Sequence, residues 1–272
     1  MNARYEREGD LPPAPEPLRT PVADAHCHLD LMGSDLFDAL AMSAAVGVPR
    51  VVTIGVDVAS SQLAADQADS HAGILAAAAI HPNSAGEATD EALRQIEELA
   101  ARNRVRAIGE TGLDHYRDTA DHADQERSFR AHIAIAKSAG KALVIHDREA
   151  HDDVLRVLAE EGAPDRTVFH CFSGDAAMAR VCADRGYYLS FAGNITFKNA
   201  GALREAAAVA PLDLLLVETD APFLTPMPFR GRPNAPYLIP LTVRALAEVR
   251  GSDEDSVAAA VDANARRVFG EW

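Results

Sequence analysis

A single (β/α)8 barrel is the fold this sequence predicts, and three observations lead to it. Eight short apolar runs alternate with helical patterns from Val22 almost to the end, the order of a parallel sheet wrapped in helices. The last of these runs, 212–219, is nearly continuous in apolar residues, as suits a strand buried on both faces. No Gly-x-Gly-x-x-Gly turn follows the first run, so the usual sign of an open doubly wound sheet is missing.

Taken in order, residues 22–28 read as the first strand, followed by a helix over 34–46. The second strand is 51–55 and its helix 60–70. The alanine-rich run 74–81 reads as a third strand because it lies between helices and ends at Pro82-Asn83. A helix over 89–102 follows, with Thr89 as its N-cap. Residues 105–114 are the fourth strand and its loop, and 121–139 a helix closed by Gly140. The fifth strand is 142–147, with a helix over 151–160 ending at Gly162; the sixth is 167–172, with a helix over 175–185 stopped by Gly186. The seventh is 187–192 with a short helix over 201–210, and the eighth is 212–219. A proline-rich loop, 222–240, is expected to wall the active site, and helices over 241–249 and 253–267 finish the fold. Residues 22–272 thus form one barrel domain. Residues 1–21, with Pro12, Pro13, Pro15 and Pro17 close together, read as a flexible proline-rich arm rather than a signal peptide.

Hydrophobic residues are 48% and charged residues 25% of the 272, ordinary for a soluble enzyme, and no apolar run is long enough to span a bilayer. A net charge of -15 argues against electrostatic coating of long nucleic acid but leaves room for a local pocket taking a few nucleotides. The three cysteines, Cys27, Cys171 and Cys182, show no Cys-x-x-Cys spacing, which predicts reduced thiols and a cytoplasmic location. A monomer with no stable protein partner is expected.

In a barrel of this kind the reacting groups come from the C-terminal ends of several strands. His26 and His28 end the first strand; alternation puts them on one face, roughly 7 Å apart, within reach of one metal ion. Glu110 lies at the end of the fourth strand, His146 of the fifth, His170 of the sixth and Asp220 of the eighth. Four histidines and two carboxylates exceed what one four-coordinate ion needs, so the set predicts two divalent ions with a bridging carboxylate. Glu110, across the barrel from the first strand, is the bridge. His26 and His28 would hold one ion with Asp220, and His146 and His170 the other. Imidazole and carboxylate donors suit Zn, Mn or Mg. Cys27 and Cys171, each next to a ligand histidine, are expected to face the helix layer.

Asp24-Ala25-His26-Cys27-His28-Leu29-Asp30, Gly109-Glu110-Thr111-Gly112-Leu113-Asp114, His146-Asp147-Arg148, His170-Cys171-Phe172-Ser173-Gly174 and Glu218-Thr219-Asp220-Ala221-Pro222 closely resemble the TatD family of metal-dependent deoxyribonucleases. Gly186-Tyr187-Tyr188-Leu189-Ser190, Thr196-Phe197-Lys198-Asn199 and Arg230-Gly231-Arg232-Pro233-Asn234-Ala235-Pro236 are similar to further segments of that family. Two departures stand out: Ala79-Ile80-His81-Pro82-Asn83 where Gly-Val-His-Pro-His is usual, and His115 where an aromatic is common. The resemblance implies an amidohydrolase-like enzyme that cleaves DNA phosphodiester bonds from 3′ ends, with DNA ends as its substrate.

Asp220 is the expected proton acceptor for the attacking water as well as a ligand. Arg148 shares a strand face with His146 and is placed to touch a phosphate; Lys198 and Arg230 are substrate contacts by resemblance. His81 is read as a substrate contact or an outer partner of the metal site, and Glu218 as an outer partner orienting a ligand. Tyr116 and Phe223 are rings that could stack on a base. The rival readings are a hydrolase of another ester or amide, such as an aminoacyl-tRNA deacylase, amidase or lactonase, and a non-catalytic barrel. Many amidohydrolases of the first kind bridge their metals through a modified lysine, where this chain has Glu110. The second would keep buried histidines and carboxylates unpaired, at a cost.

Overall fold

The computed structural model describes residues 10–32, 36–117 and 119–272. Eight strands follow in chain order: β1 (Ala23–Cys27), β2 (Arg50–Ile54), β3 (Ile74–Ala78), β4 (Val105–Asp114), β5 (Ala142–Arg148), β6 (Thr167–Phe169), β7 (Tyr188–Phe191) and β8 (Leu215–Val217). Between and after them run α1 (Leu36–Ala45), α2 (Val58–Ser70), α3 (Asp90–Ala100), α4 (His122–Ala139), α5 (His151–Glu161), α6 (Ala176–Asp184), α7 (Gly201–Val209), α8 (Ile239–Arg250) and α9 (Glu254–Phe269). Each strand pairs in parallel with the next in sequence. The ring closes at the rim, where Cys27 bridges Ala221 in parallel, Asp220 N donates to His26 O at 2.9 Å and His28 N donates to Ala221 O at 2.8 Å. This is the (β/α)8 barrel that the order of apolar runs predicts.

Local chemistry explains the element ends. Thr89 caps α3 by accepting from Ala92 N, and Gly140 ends α4 in the left-handed region at φ 61°. The start of the first helix, expected at 34, falls outside the described residues. The sixth and eighth strands are shorter than expected: β6 stops at Phe169, and a 3-10 turn (Leu212–Leu214) precedes β8. Beyond these short strands Cys171 and Asp220 take positive φ, 41° and 52°, which turns the chain off the sheet at the rim. The described part of the N-terminal arm is not free. Tyr237 Oη donates to Pro12 O at 2.6 Å, Arg244 to Glu16 O at 2.8 Å, and Leu18 N to Val46 O at 3.0 Å, with Leu18 buried.

Two apolar layers flank the sheet. The outer one packs Val51, Ile74, Ile108, Ile145, Phe169 and Leu189 against the helices. The inner one is built largely from small residues, Ala23, Ala25, Ala77, Ala107 and Ala142, with Val52, Val144, Val168 and Leu216. Ala265, Val268 and Phe269 of α9 join this inner layer, so the last helix plugs the N-terminal end of the barrel. The opposite end is left for chemistry. Among the described residues no helix is long and apolar enough to cross a membrane.

Candidate metal centre

Side chains of β1, β4, β5 and the segments after β3, β6 and β8 converge on this open end. Their convergence depends on two local irregularities. On β1 the inner face carries Ala23 and Ala25, then the register to β2 shifts between Asp24 and Cys27 and both His26 and His28 turn inward. Cys27 points out, its Sγ near Val52 O and its surroundings the outer layer, as alternation predicts. On β4 the register to β5 shifts between Ile108 and Thr111, and Glu110 enters the site. Here β4 and β5 approach closely: a Cβ on Gly112, whose φ is +144°, would lie 2.1 Å from His146 O, so only glycine fits.

Glu110 is at the centre. Its Oε1 lies 2.5 Å from His146 Nδ1, 2.8 Å from His170 Nε2 and 3.3 Å from His81 Nε2; its Oε2 is 3.5 Å from His26 Nε2 and 3.8 Å from His28 Nε2. Asp220 Oδ1 faces the same pair, 3.8 Å from His26 Nε2 and 3.4 Å from His28 Nε2. The His26 and His170 rings stack at 3.9 Å. Burial opposes ionisation of Glu110, but the surrounding His170, His81 and His146 outweigh it and hold the carboxyl well below its usual range. His170 is correspondingly held well above the ordinary histidine value, Glu110 and Glu218 overcoming burial, whereas burial and neighbouring His170 push His26 down.

A metal ion fits this donor set. His26 Nε2 and His28 Nε2 face each other at 3.4 Å with carboxylate oxygens of Glu110 and Asp220 beside both, which is how ligands gather about a common point. Among the described residues, three groups bring their ligand atoms within 4.8 Å of one another: His26, His28 and Glu110; His26, His170 and Asp220; and His81, Glu110 and His146. All six residues expected from the sequence are therefore together at one site. Within these groups His170 stands with His26 and Asp220, and His81 with His146 and Glu110, while His170 Nε2 also shares Glu110 Oε1 with His146 Nδ1.

A surrounding shell orients the cluster. Glu218, buried, accepts from His170 Nδ1 at 3.1 Å and from Cys171 N at 2.8 Å, leaving Nε2 of His170 to face Glu110. Asp114 Oδ2 lies 3.1 Å from His146 Nε2. The sequence reads 105–114 as strand and loop together; β4 in fact runs through to Asp114, and Glu110, Gly112 and Asp114 share one face beyond the register shift. Cys171 departs from expectation: because β6 ends at Phe169, alternation no longer applies. Its thiol sits at the rim 4.0 Å from Asn194 Nδ2 and is pushed up by burial and by Asp220, Glu218 and Glu110 nearby.

Asp24 clamps the closure. Its carboxylate accepts from Thr219 N at 2.9 Å and Thr219 Oγ1 at 2.5 Å, and burial pushes it up to about 8 against these bonds. Around the mouth, Arg148 stacks on Tyr116 and Arg230 on Phe197, with guanidinium carbons 4.2 and 4.3 Å from the ring centroids. Phe223 presents itself edge-on to His28 at 5.9 Å. Lys198 is exposed, and its carbonyl accepts from Arg204.

Residues 23–270 match the family model described as TatD related DNase. A Mycobacterium tuberculosis protein described as an uncharacterized metal-dependent hydrolase TatD is 46% identical over 258 residues, covering 92% of this chain and 98% of that one. A 3′-5′ ssDNA/RNA exonuclease TatD of Pantoea ananatis is 34% identical over 245 residues, covering 87% and 94%. The crystal structure of the TatD homologue YJJV from Escherichia coli superposes with a TM-score of 0.86 at 28% identity, covering 91% of this chain and 97% of that one.

Proposed function

This chain belongs to the TatD family of metal-dependent hydrolases, and we propose that it cleaves phosphodiester bonds in DNA, acting as a 3′ exonuclease on a centre of two divalent ions, Zn, Mn or Mg. The observation that carries this reading is the position of Glu110, whose two carboxylate oxygens face His146, His170 and His81 on one side and His26 and His28 on the other. The name borne by the Pantoea relative supports the substrate class.

His26, His28, Glu110, His146, His170 and Asp220 are the ligands in this reading, with His81 beside them. Ions held there supply charge neutralisation at a phosphate and acidification of water. Asp220, the more open of the two carboxylates at 14% side-chain exposure against 4% for Glu110, accepts the proton of the attacking water. Arg148 meets a non-bridging phosphate oxygen from the side of β5, and Lys198 and Arg230 meet the strand from the loops after β7 and β8, respectively. Glu218 and Asp114 fix the rings of His170 and His146, so that neither ring must reorient during turnover.

The test is a timed digestion of end-labelled single- and double-stranded DNA alongside metal analysis of the purified protein. Glu110→Gln and Asp220→Asn should each lower metal-dependent hydrolysis by at least about 100-fold, in keeping with loss of a group essential to the site, while circular dichroism stays native. Full activity in either variant sinks the assignment. A ladder from the 3′ end is expected; scattered internal cuts would replace the exonuclease reading by an endonuclease one.

A further inference from the structure

The segment after β4 carries a large exposed ring at the mouth of the site. Tyr116 is 58% exposed, yet it is held at several points. Asp114 Oδ1 accepts from Tyr116 N at 3.0 Å and from Arg117 N at 2.8 Å, and His115 N donates to Arg148 O at 2.9 Å. Gln125 of α4 grips the base of the segment, accepting from Asp114 N at 2.8 Å and donating to Asp114 O at 3.2 Å. The other oxygen of the same Asp114 carboxylate lies against His146 Nε2, so the ring is registered to the catalytic centre through one side chain. With the Arg148 guanidinium on one face, the exposure of Tyr116 leaves its other face to solvent.

We propose that Tyr116 and Arg148 form a platform for one unpaired nucleotide beside the scissile phosphate. The base stacks on the free face of Tyr116. With its guanidinium carbon over the Tyr116 ring, Arg148 offers N–H donors to a phosphate oxygen. It stands two residues along β5 from His146, roughly 7 Å away, so the phosphate it meets is at or next to the reacting one. A ring carried on a backbone already held by these hydrogen bonds binds at a reduced ordering cost and tolerates any base, since every base has a π-face. A base inside a duplex cannot reach it, so the substrate is a single-stranded or frayed end. This inference rests on the phosphodiesterase reading above.

The experiment compares metal-loaded wild type, Tyr116→Ala and Tyr116→Phe on a 3′-labelled single-stranded oligonucleotide and on two copies of it, abasic at the last or at the penultimate position. Wild type and Tyr116→Phe should prefer the fully base-bearing strand over one of the abasic strands by about tenfold in kcat/KM, as expected for one base–aromatic stack. Tyr116→Ala should lose that preference, through KM, with its melting temperature unchanged. A ratio in Tyr116→Ala equal to that of wild type overturns the platform alone, as does a wild type that cleaves all three strands equally well. A wild type that cleaves none of them overturns the platform together with the phosphodiesterase reading.

Discussion

Asp114 divides one carboxylate between two tasks: Oδ2 faces the ring of His146, and Oδ1 caps the turn that presents Tyr116. Burial opposes its charge, yet His146 and the backbone amides of Arg117 and Tyr116 hold its carboxyl below the usual range, so it acts as an acceptor on both sides. Asp114→Asn would keep the cap but offer His146 an amide in place of an anion. It should weaken metal binding or activity by about 10- to 100-fold, as outer partners of metal ligands do. Calorimetric titration with Mn(II) and the digestion assay read this out; wild-type values in both would mean the barrel alone orients His146. The sequence shows why this residue is easy to miss. His26 and His28 are legible from alternation, because two residues at spacing two share a face. Glu110 is legible as the carboxylate at the end of the fourth apolar run, but Asp114 reaches the site only beyond the register shift after Ile108, which depends on how β4 lies against β5, and a single strand's residues do not carry that information.

At the level of elements, helix positions follow closely from capping and apolar spacing, whereas strand ends do not. The rim residues leave the sheet early, at Phe169 in β6 and Val217 in β8, because apolar runs continue past the point where the barrel can still pair them. What holds helix to strand is also specific. His132 of α4, fully buried, accepts Ile80 N–H through Nε2 at 3.0 Å and donates from Nδ1 to Ser128 O at 2.7 Å. It thereby fixes the end of the β3 segment next to His81 as a neutral ring, and burial pushes it down to about 4 from the ordinary 6.5. Between those values the unfolded chain takes up a proton that the native ring refuses, so this residue removes stability as pH falls from 6.5 to 4. Integrated over that window the loss is about 3 kcal/mol. His132→Gln keeps a donor and an acceptor without titrating there. Urea unfolding with a chelator present should therefore show a shallower pH dependence for the variant over pH 4–6.5. Parallel curves would mean that the native His132 ring takes up its proton over the same range as in the unfolded chain, and that burial does not hold it neutral.

Across the whole molecule, chemistry and stability are placed at opposite ends of one barrel. The inner layer is made small by Ala23, Ala25, Ala77, Ala107 and Ala142, and Phe269 and Val268 from α9 fill the space this leaves. Trp272 adds to the closure by donating from Nε1 to Val51 O at 3.3 Å and packing edge-on to Phe269. The apolar spacing of α9 is legible as an amphipathic helix, but that its last turn seals the barrel becomes clear only when the small residues of several strands are brought together. Removing the plug should therefore cost stability without touching the site. Phe269→Ala deletes a side chain buried to 1% exposure and should destabilise by about 3–5 kcal/mol, the transfer loss plus a cavity that rigid strands cannot collapse. The chemical midpoint should fall with an unchanged denaturant slope. Well below the melting temperature, kcat/KM on single-stranded DNA should stay within about twofold of wild type, because additivity is the rule for sites without shared partners. A loss of activity in a variant that remains fully folded would show that the plug reaches the rim through the inner layer, and the barrel would then have to be treated as one mechanical unit.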